Sequence, residues 1–268
     1  MGRTGPMRVA SLYRYPVKGL SPERLSRTEL PTGGYVPGDR LFAIENGPSG
    51  FDPAEPVHQP KIKYLMLMRN EALARLRTRY DDDSRDLVIG HDDVETRFAI
   101  ATAAGREQLS AFFKAFMPDE LRGEPRLLAA PLGYRFTDSR SGFVSIINLA
   151  SVADLETRLG VPVDPLRFRG NVMVEGLPAW AELDLVDREL VAPSGLRLQV
   201  IKRIERCAAT NVDPVTGIRD LQIPKALMKG YGHVDCGIYC RIVAGGTLGE
   251  GERLTLVEAS EPAALGVA

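Results

Sequence analysis

The sequence predicts a mainly β protein of the α+β class: a β-barrel or sandwich carrying one or two helices. Three observations predict it. Short runs rich in Val, Ile, Leu and aromatic residues recur along the chain, separated by Gly, Pro and Asp turns. Only two segments keep a helical period. The length of 268 residues, 44% hydrophobic and 26% charged, suits one large or two small cores without disulfide staples.

In the first half, residues 9–15 are β-branched and aromatic until Pro16 interrupts them. Thr32-Gly33-Gly34-Tyr35 and Val36-Pro37-Gly38-Asp39 are turn clusters, and residues 41–45 form a short apolar strand. Pro48, Pro53, Pro56 and Pro60 mark an exposed loop, and residues 65–68 read as a buried strand. Ala74, Leu76, Thr78 and Tyr80 then alternate with Arg75, Arg77 and Arg79; an acidic turn and Leu87-Val88-Ile89 complete a hairpin. A helix is predicted over 106–117. Leu109, Phe112, Phe113 and Phe116 fall at i, i+3, i+4 and i+7, and Pro118 ends it. The polar stretch 119–125 divides the chain into an N-terminal β-rich domain, residues 1–120, and a β-barrel domain, residues 121–268.

The second half opens with a strand at 143–147. A helix follows, with Ser151 and Asp154 placed as a capping box. Leu149, Val152, Leu155 and Leu159 line one face, and Gly160 stands at the C-terminal cap. Strands are predicted at 171–175, 196–204, 237–243 and 254–257. The glycine-rich stretch 244–251 reads as a turn between strands.

The net charge of -1 excludes a globally basic nucleic-acid binder, though not a local basic pocket. No apolar run approaches the roughly 20 residues of a membrane-spanning helix. The first residues lack the apolar stretch of a secretory signal, so a cytoplasmic location is expected. Fingerprints for dinucleotides, P-loop phosphates and hydrolase nucleophiles are absent, and His58, His91 and His233 show no zinc spacing.

The three cysteines separate into two kinds. His233, Cys236 and Cys240 can be read as a metal cluster. On a strand, however, Val234, Cys236, Ile238, Cys240 and Ile242 share an entirely apolar face, while His233 points the other way. A core role for both thiols is the better reading. Cys207 instead ends a strand and opens a loop containing Asp213-Pro214 and Thr216-Gly217, with Lys202, Arg203 and Arg206 close by. Cationic neighbours favour the thiolate, which acts as nucleophile or soft-metal ligand. On composition alone, a loop cysteine without a role is equally well supported.

Basic residues recur at turns: Lys18 after the first strand, Arg40 in Pro37-Gly38-Asp39-Arg40, and Arg167 and Arg169 before Asn171. On one strand Arg167 and Arg169 would face the same side. Arginine forks and a lysine point charge suit phosphate, and the helix start near Ser151 offers free N–H groups to an anion. Taken singly, each also reads as solvated surface charge.

Together these segments resemble a family. Tyr15-Pro16-Val17-Lys18-Gly19, Gly38-Asp39-Arg40, Arg167-Phe168-Arg169-Gly170-Asn171 and Arg206-Cys207-Ala208-Ala209-Thr210-Asn211-Val212-Asp213-Pro214-Val215-Thr216-Gly217 are similar to MOSC proteins, named for the C-terminal domain of molybdenum cofactor sulfurases. The order matches the two-part members, which include the amidoxime-reducing components. The resemblance implies a MOSC-type β-barrel with flanking helices, preceded by a β-rich N-terminal MOSC region. It implies a molybdenum–molybdopterin cofactor with Cys207 as catalytic residue and metal ligand. Lys18, Gly19, Arg40, Asn148, Ser151, Arg169, Asn171 and Arg206 are the implied cofactor-binding residues.

The implied activity is reduction of N-hydroxylated small molecules by oxygen-atom transfer, with electrons from a separate donor protein of ferredoxin, flavin reductase or cytochrome type. No nucleic-acid or membrane partner is implied. The alternative within the family is a cofactor carrier or persulfide sulfur-transfer module without turnover. The chain departs from the pattern at three places. Gly19 replaces a frequent Ser, His58-Gln59-Pro60-Lys61 replaces a Thr-Gln-Arg-like stretch, and Cys236 and Cys240 replace aromatic or small apolar residues.

Overall fold

In the computed structural model, residues 7–139 and 144–257 are described. Seven strands close a barrel in the order Val172–Glu175, Val144–Asn148, Asp235–Ala244, Arg197–Glu205, Glu189–Val191, Arg253–Val257 and Met7–Arg14. The last pairs back onto the first, with Val9 opposite Val174. Closure removes the free edges that an open sheet must protect.

Neighbouring strands are antiparallel except Val144–Asn148 and Val172–Glu175, which run parallel. A parallel pair needs a crossover. Helix α2, Leu149–Leu159, supplies it. Inward residues Val9, Val144, Ile146, Val174, Leu198, Ile238 and Cys240 fill the barrel. A second layer packs outside it: Val152 and Leu155 of α2, and Ile223 and Leu227 of α3, Ile223–Tyr231, close over Ile147, Met173 and Cys236.

The predicted mainly β architecture with flanking helices and a preceding β-rich region is therefore the observed one. Its two regions interlock. Met7–Arg14 lies within the barrel otherwise built from the second half, Arg27–Leu30 pairs with Gly246–Gly249, and Leu127–Ala129 pairs back with Phe42–Ile44. A cut near residue 120 divides the sequence but crosses these sheets.

The first half has its own core. The hairpin Arg77–Tyr80 and Leu87–His91, extended by Val94–Phe98, packs on α1, Ala103–Phe116. Thr102 caps α1 by accepting the Gly105 N–H at 3.0 Å, one turn ahead of the predicted start. Leu109 and Phe113 are buried, each contributing about 2–3 kcal/mol on removal from water.

Several expectations are corrected. Residues 65–68 form no strand: Leu65 and Met66 are buried, but the Asn70 side chain accepts the Met66 N–H at 3.1 Å and turns the chain. The stretch 244–251 contains the strand Gly246–Gly249. The N-cap of α2 is Asn148, not Ser151; its side chain accepts the Ala150 N–H at 3.1 Å. Arg167 and Arg169 share no strand, because residues Pro165–Phe168 wind into a 3-10 turn that Arg169 caps in a left-handed conformation, φ 52. Phe143, at the start of a predicted strand, lies outside the described residues.

The cysteine reading stands, with one refinement. Cys236 and Cys240 are both fully buried and free. They face different cores because Gly237, at φ +84, breaks the alternation between them. Burial pushes the Cys236 thiol up to about 12 and the Cys240 thiol upward as well. Among the described residues no group of three His, Cys, Asp or Glu side chains is placed to hold a metal, and no helix is long and apolar enough to cross a membrane.

Candidate functional site

A cavity of about 460 Å³ opens where the barrel meets the first half. Its lining includes Lys18, Gly19, Arg40, Arg169, Asn171, Arg206 and Cys207. The structure thus gathers every residue implied by the resemblance except Asn148 and Ser151. These two lie at the start of α2, where their side chains donate to the buried carboxylate of Glu182 at 2.9 and 2.8 Å. The expected anion at this helix start is the chain's own Glu182, so neither residue is available to a ligand in the cavity. Burial holds the Glu182 carboxyl above the usual range, against the hydrogen bonds from Asn148 and Ser151.

The cationic residues come from four separate turns. Lys18 follows the first barrel strand; its Nζ donates to the Phe136 carbonyl at 3.0 Å and pairs with Asp138. Gly19 lies beside it at φ +83, where an added Cβ would stand 2.9 Å from the Leu65 carbonyl oxygen. The backbone therefore favours glycine in this turn. Arg40, also left-handed at φ 48, is held by Asp39 at 2.6 Å and donates to the Arg169 carbonyl at 3.0 Å. Arg169 donates to the Leu20 carbonyl at 2.7 Å. Arg206 donates to the Cys236 and Phe168 carbonyls at 2.7 and 2.8 Å.

The electrostatics of this floor are unbalanced. Among the described residues, Asp39 and Asp138 are the carboxylates that act most strongly on Lys18, Arg40 and Arg169, and Glu205 also lines the cavity. Burial pulls Arg169 down to about 10, and the Arg40 charge adds to the fall. Burial also lowers Lys18 and Arg206, with Asp138 opposing it at Lys18. At Arg40 burial is again the largest influence and acts in the same sense, but Asp39, Tyr15 and Tyr239 together outweigh it and the net shift is upward. Buried like charges persist only where something compensates them, and an anionic ligand does so.

Arg167 and Asn171 touch the cavity but are engaged elsewhere. Arg167 binds Asp220 through two hydrogen bonds of 2.8 Å and reaches Asp213 at 3.0 Å, which ties down the loop after Cys207. The Asn171 amide accepts from the Ser145 hydroxyl at 2.8 Å and donates to the Tyr13 carbonyl at 3.2 Å.

Cys207 lies at the end of Arg197–Glu205, just before the short helical turn Ala208–Asn211. It is partly exposed, free, and shares the cavity with the cations. Its carbonyl accepts from both the N–H and the hydroxyl of Thr210, at 3.0 and 2.9 Å. Arg219 fastens this loop to the first half. It donates to the Ala208 carbonyl at 3.1 Å, to the Leu67 and Met68 carbonyls at 3.0 and 2.9 Å, and to Glu71 at 2.9 Å. The apolar wall Met66, Leu67 and Met68 is thereby held beside Cys207.

Sequence reasoning missed Asp138, Lys61 and the Met66–Met68 wall. Lys61 had a signal, as the basic end of the departing stretch His58-Gln59-Pro60-Lys61. Asp138 had none.

A seven-stranded barrel with a cysteine and a cationic floor at its mouth defines the class of protein. The chain belongs to the MOSC family: the MOSC domain matches residues 133–255, and the MOSC N-terminal beta barrel domain matches residues 6–118. Among relatives, mitochondrial amidoxime reducing component 2 of Bos taurus is 38% identical over 88 residues, 33% of this chain and 25% of the relative. Mitochondrial amidoxime-reducing component 1 of Homo sapiens is 34% identical over 90 residues, 34% of this chain and 26% of the relative. Molybdenum cofactor sulfurase of Caenorhabditis elegans is 34% identical over 113 residues, 39% of this chain and 16% of the relative. The matched stretches thus span a quarter or less of these relatives, apart from the 26% of the human protein. Among solved structures, the YUAD protein from Bacillus subtilis aligns over 94% of this chain and 95% of its own, with a TM-score of 0.47 and 13% identity.

Proposed function

We propose that this chain holds a molybdenum–molybdopterin cofactor in the cavity and reduces N-hydroxylated compounds, acting in the cytoplasm. One observation carries the reading: an excess of positive charge, Lys18 buried and Arg40, Arg169 and Arg206 partly buried, shares one cavity with a partly exposed cysteine. The donor set fits the group. A terminal phosphate needs Lys and Arg donors, and the metal needs a thiolate.

In the loaded protein Lys18, Arg40 and Arg169 would bind the phosphate, Arg206 would add positive charge near Cys207, and the Cys207 Sγ would ligate the metal. Gly19 lets the backbone of its turn approach the Leu65 carbonyl without a side chain between them. Met66, Leu67 and Met68 form an apolar wall that would exclude water from one side of the substrate. Bound there, the cofactor supplies two-electron removal of the substrate's hydroxyl oxygen as water, consuming two protons and two electrons. A separate electron-donor protein of ferredoxin, flavin reductase or cytochrome type returns the electrons.

Protein from a cofactor-competent host, assayed with an N-hydroxylated amidine and an artificial reductant, should form the amidine. The Cys207→Ala variant should not. Cofactor binding with persulfide chemistry on Cys207 and no turnover would instead establish a carrier or sulfur-transfer module, the activity that the similarity to a molybdenum cofactor sulfurase favours.

A further inference from the structure

We propose that Tyr15 is the positioning residue of the anion site: its ring holds Arg40 and Arg169 together, charged and correctly spaced, without cancelling their charge. The inference rests on the anion-site reading above and deepens it.

Tyr15 is fully buried. The guanidinium carbons of Arg40 and Arg169 stand 4.3 and 4.4 Å from its ring centroid. Both arginines occupy left-handed backbone, at φ 48 and 52, a conformation that costs free energy for any residue with a side chain. The backbone of Tyr15 belongs to the same unit. Its N–H donates to Asp39 at 2.8 Å, its carbonyl accepts the Arg40 N–H at 2.7 Å, and Arg40 in turn donates to the Arg169 carbonyl at 3.0 Å. Two strained turns from distant parts of the chain therefore converge on one ring.

Two guanidinium groups this close repel, and Arg40 contributes to the fall of Arg169. A carboxylate between them would relieve the repulsion but would also neutralise the site. The negative face of an aromatic ring attracts cations while carrying no net charge. It stabilises both arginines and adds no neutralising charge beyond the Asp39 carboxylate that already pairs with Arg40, so Arg169 keeps its charge for the ligand. Ordering the two forks in advance also spares the ligand that entropic cost. Among the described residues the Tyr15 hydroxyl has no hydrogen-bond partner, so the ring rather than the hydroxyl is the working part.

The probe is inorganic phosphate, titrated calorimetrically into cofactor-free protein at neutral pH. The variants are Tyr15→Phe and Tyr15→pentafluorophenylalanine, which keep the shape of the ring; fluorination removes its negative face. Tyr15→Phe should bind phosphate within about twofold of wild type, since only an unpartnered hydroxyl is lost. The fluorinated variant should bind on the order of tenfold more weakly, reflecting two weakened cation–ring contacts. Thermal unfolding of both proteins checks that each is folded. Equal affinity in the Phe and pentafluorophenylalanine proteins would overturn the role of Tyr15 while leaving the anion site standing. Failure of the wild-type protein to bind phosphate would overturn the anion site itself.

Discussion

Replacing Arg169 by Met tests whether the cavity floor is built for a ligand at the expense of the empty protein. Burial pulls Arg169 from the ordinary guanidinium range down to about 10, equivalent to about 3 kcal/mol of penalty on its charged form. The sign follows from linkage. The folded state holds this proton less tightly than the unfolded state, so the penalty is complete below pH 10 and is released progressively from there up to the ordinary guanidinium value of the unfolded chain. Met removes the charge but also the hydrogen bond to the Leu20 carbonyl and the ring contact, together worth about 2–3 kcal/mol. The two nearly cancel. Urea unfolding of the cofactor-free proteins at pH 7 should therefore give stabilities within about 1 kcal/mol, although a partly buried arginine has been lost. Phosphate at about a hundred times its dissociation constant should stabilise wild type by about 2.7 kcal/mol and the variant far less. A loss of more than about 3 kcal/mol in the cofactor-free variant would show that the arginine is paired and structural, and would refute the reasoning.

Three further outcomes follow from the same geometry. In native protein a thiol reagent should titrate Cys207 alone, while unfolding should expose Cys236 and Cys240 as well; rapid native labelling of either buried thiol would contradict their core placement. Arg219→Ala should cost about 1–2 kcal/mol and speed amide exchange at residues 208–219 and 67–71 together, since one guanidinium joins those segments; exchange confined to one segment would break that link. Glu182→Ala should cost about 3 kcal/mol by leaving Asn148 and Ser151 without their acceptor, yet leave phosphate binding unchanged; a parallel loss of affinity would return those residues to the ligand site.

The legible parts of the fold were those with strong local chemistry. The 3.6-residue period and Pro118 located α1, though not its start at Thr102, and the alternation at 74–80 pointed to the hairpin, whose strand begins at Arg77. Cys207 was found because its turn residues mark a loop rather than a core. The missed parts depend on distant chain. Nothing local in Met7–Arg14 says that it completes a barrel built mostly from residues beyond 143. Arg167 and Arg169 looked alike, but only the fold sets Asp213 and Asp220 against one and the Tyr15 ring against the other. The helix start at Asn148 and Ser151 suited an anion, but only the fold brings Glu182 from a separate turn to meet their side chains. Helix α3 did carry a local signal, with Ile223 and Leu227 one turn apart, Pro224 in the first turn and Gly232 at the left-handed cap.

The proposed function requires the Cys207 sulfur and the partly buried cations to grip two ends of one molybdenum-bearing anion. Elemental analysis of protein purified from a cofactor-competent host tests it most directly. Wild type should carry stoichiometric molybdenum, and Cys207→Ala and Arg169→Met should each lose most of it while remaining folded. Undiminished molybdenum in both variants, or none in wild type, would contradict the account.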